Sequence, residues 1–286
     1  MPKNLRRAPK AYKNLQFLNG PDAVTIRILS EFLEPMSRFQ REGIKNTIVF
    51  FGSARFLSRE MASKKLKLFQ SNLKGRKNLT LRDKTKLENL QTDLRTSIYY
   101  EDAVRLSSLL TKWSQRIKPA NRYVICSGGG PGIMEAANRG AYEAGGRSIG
   151  LNISLPMEQY TNAYITPTLN FEFHYFFMRK LWFMYLADAL VMFPGGYGTM
   201  DELMEVLTLL QTRKVKKVIP VILYGTKYWS EVINFEALLR HRTILKRDLK
   251  LFRFADSPDE AYQFLRSELT LLARTQKESR PITLSK

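Results

Sequence analysis

Short apolar runs alternate with segments of helical periodicity along most of this 286-residue chain. Ile44–Phe51, Tyr123–Ser127, Arg147–Ile153, Ala189–Phe193 and Val218–Tyr224 read as strands, most of them apolar enough to be buried on both faces. Two shorter strands are expected near Leu169–Phe173 and Leu251–Phe254. Helices are expected between them. The first starts at Asp22, its cap, with Val24, Ile28, Leu29, Phe32 and Leu33 as the apolar stripe. Tyr99–Gln115 carries Ala103, Leu106, Leu109 and Leu110 on one face, and Ile133–Ala144 is closed by Gly145 and Gly146. The segment from His174 to Ala187 is apolar nearly all round, so a buried helix is expected. Further helices run from Thr199 to about Thr212, over Tyr228–Arg240, and from Ser257 to about Ala273.

Strands alternating with helices imply an α/β protein: a doubly wound, mostly parallel, Rossmann-like sheet with helices on both faces. We divide the chain into a basic N-terminal arm and helix (1–43), a Rossmann-like nucleotide-binding domain (44–273) and a tail (274–286). Residues 59–98 differ in texture. They are lysine-rich, with Leu66, Phe69, Leu73, Leu79, Leu87, Leu90 and Leu94 at roughly helical spacing. They read as a basic helical insertion, either a hairpin broken near Gly75 or a partly mobile segment, preceding a separate helix at 99–115.

Two places repeat one device, a strand running through a glycine loop into a helix. One is Ser127-Gly-Gly-Gly-Pro-Gly132. The other is Pro194-Gly-Gly-Tyr-Gly-Thr-Met-Asp-Glu202. Glycines let the backbone approach a ligand, and the free amides of a first helical turn attract an anion. Both loops fall at the carboxyl ends of strands, where ligands bind in such sheets. Neither is a Walker A loop or a G-x-G-x-x-G fingerprint in its usual place. Asp201 and Glu202 are expected in the first turn of their helix, where Thr199-Met-Asp-Glu202 also fits a capping box. Arg179 stands on the apolar helix and needs a partner, either a protein carboxylate or a bound anion. Lys180 has the length to reach the surface. Cys126, at a strand end, reads as an inert core residue.

Composition narrows the choices. One cysteine excludes an internal disulfide, and two histidines exclude a Cys/His metal cluster. No apolar h-region follows the basic N-terminus, and the longest apolar stretch, from Phe171 to Met192, is interrupted by four charges. A cytoplasmic protein without a membrane span is expected. The formal net charge is +20, yet residues 121–212 hold five basic and eight acidic side chains. The excess therefore lies in the flanks, including 59–98 with eleven basic and four acidic residues. It reads chiefly as solvated faces, with weak non-specific attraction to nucleic acid as the lesser reading.

The run Pro194–Glu202 resembles the P-G-G-x-G-T-x-x-E signature of the LONELY GUY (LOG) proteins. Met178-Arg-Lys180 is similar to that family's R-K element, and Phe51-Gly-Ser-Ala-Arg55 and Ser127–Gly132 resemble its two other loops. The resemblance covers roughly 22–58 and 99–270; the basic arm and the insertion depart from it. It implies a nucleoside 5′-monophosphate phosphoribohydrolase, which releases a free base and ribose 5-phosphate, with AMP or a cytokinin riboside monophosphate as substrate type. It implies Glu202 and Arg179 as the catalytic pair, and a homodimer or higher homo-oligomer with active sites near the interface. On this scheme Gly195, Gly196, Gly198 and Thr199 hold the substrate phosphate, with Tyr197, Lys180, Gly129, Gly130, Met134, Ser53 and Arg55 as further substrate neighbours. No metal or cofactor is required. Relatives are often labelled lysine decarboxylases, but no lysine here sits in a recognisable pyridoxal-phosphate context. A non-catalytic binder of a nucleotide or phosphorylated cofactor is the alternative, and a nucleic-acid-associated protein a third.

Overall fold

The computed structural model describes residues 8–74, 76, 78–155 and 160–275. Seven parallel strands form one sheet: β1 (Asn46–Phe51), β2 (Tyr123–Ser127), β3 (Ser148–Ile153), β4 (Asn170–Phe173), β5 (Ala187–Met192), β6 (Val221–Tyr224) and β7 (Arg253–Ala255). Their order is β4-β3-β2-β1-β5-β6-β7. The chain winds outward from β1 in one direction, returns to place β5 on the other side of β1, and winds outward again. The sheet is the doubly wound α/β sheet that the alternating pattern implies. Its topological switch point lies between β1 and β5, and the crevice at their carboxyl ends is where such sheets take ligands.

Alternation along the central strands divides the core. Val49, Phe51, Leu190 and Met192 point into one buried cluster, and Ile48, Phe50, Ala189 and Val191 into the other. The first cluster is covered by α2 (Val24–Arg41), α6 (Phe176–Leu186) and α7 (Tyr197–Gln211), and the second by α4 (Leu81–Gln115), α5 (Ile133–Glu143) and α10 (Pro258–Thr275). The remaining helices are short or peripheral: α1 (Leu15–Leu18), α3 (Arg59–Leu73), α8 (Thr226–Val232) and α9 (Phe235–Arg240).

Several local expectations are corrected. The separate helix at 99–115 is the second half of α4, a single 35-residue helix. Neither glycine nor proline interrupts Leu81–Gln115, and Thr80 with Asp83 forms a reciprocal capping box at its start. Its first half packs against α3, so 59–98 forms a helical hairpin in its described part; Gly75, the expected break, lies outside the described residues. Asp22 does not cap α2, because Pro21–Ala23 forms a 3₁₀ turn first. The stripe of α2 is also displaced. Ile28, Phe32, Met36 and Phe39 pack inward, while Val24, Leu29 and Leu33 are exposed. The apolar sector of α6 is only half covered, leaving Phe176, Phe177, Leu181 and Tyr185 open. The helix expected over Tyr228–Arg240 is two, because Asn234 caps a new start by accepting from the amide of Ala237.

Glycine permits a close contact between α4 and α5. A Cβ on Gly140 of α5 would stand 2.2 Å from the carbonyl oxygen of Val104 in α4. Gly145 instead ends α5 at φ +69°, and a Cβ there would meet nothing within 4 Å. Gly140→Ala should therefore cost about 2 kcal/mol through overpacking. Gly145→Ala should cost only about 1 kcal/mol through its left-handed backbone. Urea denaturation of the two variants checks the order; equal losses would show that α4 and α5 have room to separate.

Candidate active site at the switch point

Three loops leave the carboxyl ends of β1, β2 and β5 and are tied together through Ser53. The Ser53 amide donates to the carbonyl of Pro194 at 2.9 Å, and its carbonyl accepts from the amide of Ile133 at 3.0 Å. Its hydroxyl accepts from the amide of Arg55 at 3.1 Å. Gly132 has φ +70°, and a Cβ there would lie 2.3 Å from the Ser53 carbonyl oxygen. A Cβ on Gly195 would lie 2.1 Å from the Thr199 hydroxyl and 3.0 Å from the Ser53 amide. These glycines are required by the approach of the loops to one another. Gly196 and Gly198 differ, since nothing lies within 4 Å of a Cβ at either. Their smallness serves the space in front of the loop rather than the packing behind it.

That space is a cleft of about 910 Å³, within the size range of small-molecule sites. It brings together Ser53, Arg55, Gly128, Met134, Arg179, Gly195–Thr199 and Glu202. Tyr197 stands at its lip, almost wholly exposed. Gly129 and Gly130 do not reach it. Both are buried, and their carbonyls accept from the Asn162 side chain at 2.9 and 3.1 Å. Lys180 also stays outside the lining, because its ammonium is engaged by Asp201 at 2.9 Å and by Glu205. It bridges α6 to α7 rather than reaching free solvent.

The helix behind the loop starts earlier than expected. Gly196 is the N-cap of α7 and Tyr197 its first residue, with no side chain capping the free amides of the first turn. Thr199 and Glu202 therefore form no capping box, and Asp201 and Glu202 belong to the second turn. Glu202 is turned inward, 5% exposed, and faces the cleft. Burial pushes its carboxyl up to about 7, against the pull of Lys180 and Arg179. Arg179 enters the same cleft from α6. Its guanidinium lies over the rings of Phe176 and Phe183, 5.1 and 5.7 Å from their centroids. Burial depresses its basicity, while the charges of Glu202 and Asp201 oppose that shift. Its Nε is buried with no hydrogen-bond partner, and no carboxylate lies within ion-pair distance among the described residues. A buried cation in that condition is suited to an anionic or strongly polar ligand.

Several members of the site were not singled out in the sequence. Tyr228, from α8, lines the cleft and donates to the Gly195 carbonyl at 2.6 Å. Asn152 lines it from the end of β3 and donates to Asn170 and to the carbonyl of Phe171. Asn138 accepts from the Ser127 hydroxyl and from Asn162, and donates to the Ile149 carbonyl, which holds the second glycine loop in place. Asn152 in an otherwise apolar strand carried a usable signal, because a buried amide must be bonded. Cys126 is buried and its thiol is pushed well up by burial, as an inert core residue requires. No group of three or more metal-ligating side chains occurs among the described residues. No described helix is long and apolar enough to cross a membrane.

Comparison with known proteins finds partial likenesses. A family model described as "Possible lysine decarboxylase" matches residues 134–265. A rice protein (Oryza sativa subsp. japonica) named "Probable cytokinin riboside 5'-monophosphate phosphoribohydrolase LOGL5" is 33% identical over 92 residues, 32% of this chain and 36% of that protein. The match thus spans about a third of the relative's length. Among solved structures, the structural-genomics target TM1055 is 22% identical with a TM-score of 0.44, covering 78% of this chain and 99% of that one. The molybdenum cofactor carrier protein of Chlamydomonas reinhardtii is 17% identical with a TM-score of 0.42, covering 79% and 99%. The curated relative and the Pro194–Glu202 run make part of this chain similar to the LONELY GUY (LOG) proteins.

Proposed function

We propose that the protein hydrolyses the N-glycosidic bond of a nucleoside 5′-monophosphate, of the AMP or cytokinin riboside monophosphate type, to a free base and ribose 5-phosphate. The observation that carries this reading is one cleft that holds three things. It has a buried carboxyl poised near neutrality, a buried guanidinium with an unpartnered Nε, and a glycine loop at a helix N-terminus. A simple phosphate carrier has no use for the carboxyl. The description of the matching family model is not favoured by the cleft's chemistry, since among the described residues no lysine lines it to form a Schiff base.

The chemistry divides among the residues by charge. Cleavage builds positive charge on the ribose ring as the base departs. Ionised Glu202 stabilises that charge and activates the attacking water. Free amides in the first turn of α7 and the Thr199 hydroxyl take the 5′-phosphate. Arg179 binds a ribose or phosphate oxygen through its Nε and favours the ionised form of Glu202. The Tyr228 hydroxyl, through its bond to Gly195, fixes the phosphate loop. A homodimer accompanies this reading: the exposed apolar side chains Phe177, Leu181 and Tyr185 of α6 lie on the helix that carries Arg179.

Incubation with a panel of nucleoside monophosphates, with free base measured by chromatography, should show release from at least one monophosphate and none from the matching nucleoside. Glu202→Gln and Arg179→Ala should each lower kcat at least 100-fold, the scale expected for a group acting at the reacting centre. No release from any monophosphate by folded protein would favour the non-catalytic binder. In wild type, kcat/KM should rise with pH through a midpoint near 7, as Glu202 ionises.

Stability should respond to pH in the opposite direction. The folded pKa of Glu202 lies above its unfolded value, so its favourable contribution is complete below about 4.5 and is lost as pH rises through about 7. Glu202→Gln removes that loss. Its unfolding free energy should match wild type near pH 4 and exceed it by roughly 3 kcal/mol at pH 8. Urea titrations at both pH values test this, and a variant destabilised at pH 8 would contradict it. Light scattering should give the mass of a dimer for wild type and of a monomer for Leu181→Glu. A wild-type monomer would remove the homodimer from the scheme.

A further inference from the structure

A second concave site lies at the opposite end of the sheet from the cleft. The amino ends of β6 and β7, the C-terminal end of α7 and one face of α10 enclose about 620 Å³. Its lining is strongly cationic. Arg213, Lys216, Lys217, Lys250 and Arg253 face a single carboxylate, Glu268. Two of the five are already engaged. Lys217 pairs with the buried Asp188, and Arg253 lies over the Phe264 ring, 5.0 Å from its centroid. Arg213, Lys216 and Lys250 have no ion-pair partner among the described residues.

Two features show that the positions of these cations are built. Arg213 follows the C-cap of α7 with φ +56°, in the left-handed conformation that favours glycine at a helix end. An L side chain is disfavoured there, yet the longest cationic side chain occupies it. The opposite wall is tied to the same helix end. The Gln211 side chain at the end of α7 donates to Asp248 at 2.7 Å, and Asp248 also accepts from the amide of Leu245 at 2.8 Å. This clamp fixes the 3₁₀ segment Lys246–Leu251, and with it Lys250, against the end of α7. Phe252 and Phe264 supply flat apolar walls beside the cations.

We propose that this cavity is a second binding site, for a small phosphorylated organic anion. Its phosphate is held by Arg213, Lys216 and Lys250, and its flat apolar part lies against Phe252 and Phe264. Three unpartnered cations around one concavity favour a multiply charged phosphate over a single carboxylate, and the arginine fork suits phosphate oxygens. Its volume of about 620 Å³ lies within the size range of small-molecule sites. The proposal does not depend on the hydrolytic reading, because no lining residue is shared with the switch-point cleft.

Calorimetric titration with 1-naphthyl phosphate, and with inorganic phosphate as the charge-only arm, tests it on the full chain. Wild type should bind naphthyl phosphate more tightly than inorganic phosphate, and affinity should fall with added salt. The double variant Lys216→Glu/Lys250→Glu should lose at least roughly tenfold in affinity while base release from nucleoside monophosphates is unchanged. Arg213→Gly separates binding from folding. It should weaken binding several-fold while raising Tm by roughly a few degrees, since glycine suits the left-handed position. Binding undiminished in these variants, no binding by wild type at millimolar ligand, or stronger binding of a single-stranded oligonucleotide than of the small anion would each overturn the proposal.

Discussion

The backbone of Ser53 is the constraint on which the site depends. Its amide and carbonyl join the loop after β5 to the loop before α5, and its own strand is the centre of the sheet. Each of these hydrogen bonds contributes only about 1 kcal/mol net. Their importance is geometric. They fix three strand ends at one point, so the glycine loop, the start of α7 and the helices behind them have little freedom to shift separately. Gly132 and Gly195 exist to allow that approach, as side chains there would meet Ser53 or Thr199. The site is thus held mainly by backbone, and neither Arg179 nor Glu202 has an ion-pair partner among the described residues.

This lack of ion-pair partners accounts for the electrostatics of the cleft. Arg179 and Glu202 are both buried, and each is shifted toward its neutral form by loss of water. Their mutual attraction offsets only part of the shift. A bonded pair at ion-pair distance would have satisfied both groups and closed the site. Here Lys180 takes Asp201 and Glu205 instead, on the exposed side of α7. The first half of α7 therefore separates its carboxylates by role: Asp201 and Glu205 are neutralised by Lys180, and Glu202 remains at the cleft.

Much of this was legible in the sequence. The strands, the doubly wound sheet and the two glycine loops follow from apolar runs and their punctuation, which local chemistry controls directly. Arg179 stood out because a charge on an apolar helix needs a partner, whereas Glu202, which also fitted a cap, was singled out by the resemblance of the Pro194–Glu202 run. What escaped has physical causes. The start of α7 moved to Tyr197 because Gly196 served as a cap, and a glycine cap leaves no side-chain signature. The exposed half of α6 could not be inferred, because an all-round apolar helix does not reveal which face remains uncovered. Gly129 and Gly130 looked like ligand contacts, yet their carbonyls are taken by Asn162, more than thirty residues further along the chain. Tyr228 joined the site through tertiary placement of a short helix, with no local pattern to announce it.

The length of α4 has a consequence for how the molecule opens. Its first half, from Leu81, packs on α3, whereas from Ser97 onward it buries Tyr100, Ala103, Leu106 and Leu110 against the sheet and α5. Backbone hydrogen bonds continue without interruption, but the apolar area that protects them does not. Amide exchange should therefore be fast near Leu81 and approach the global unfolding limit near Leu106, all within one unbroken helix. A helix with two such halves can melt at one end without loosening the domain at the other. The hairpin is thus a unit that the fold carries at little cost to its own cooperativity.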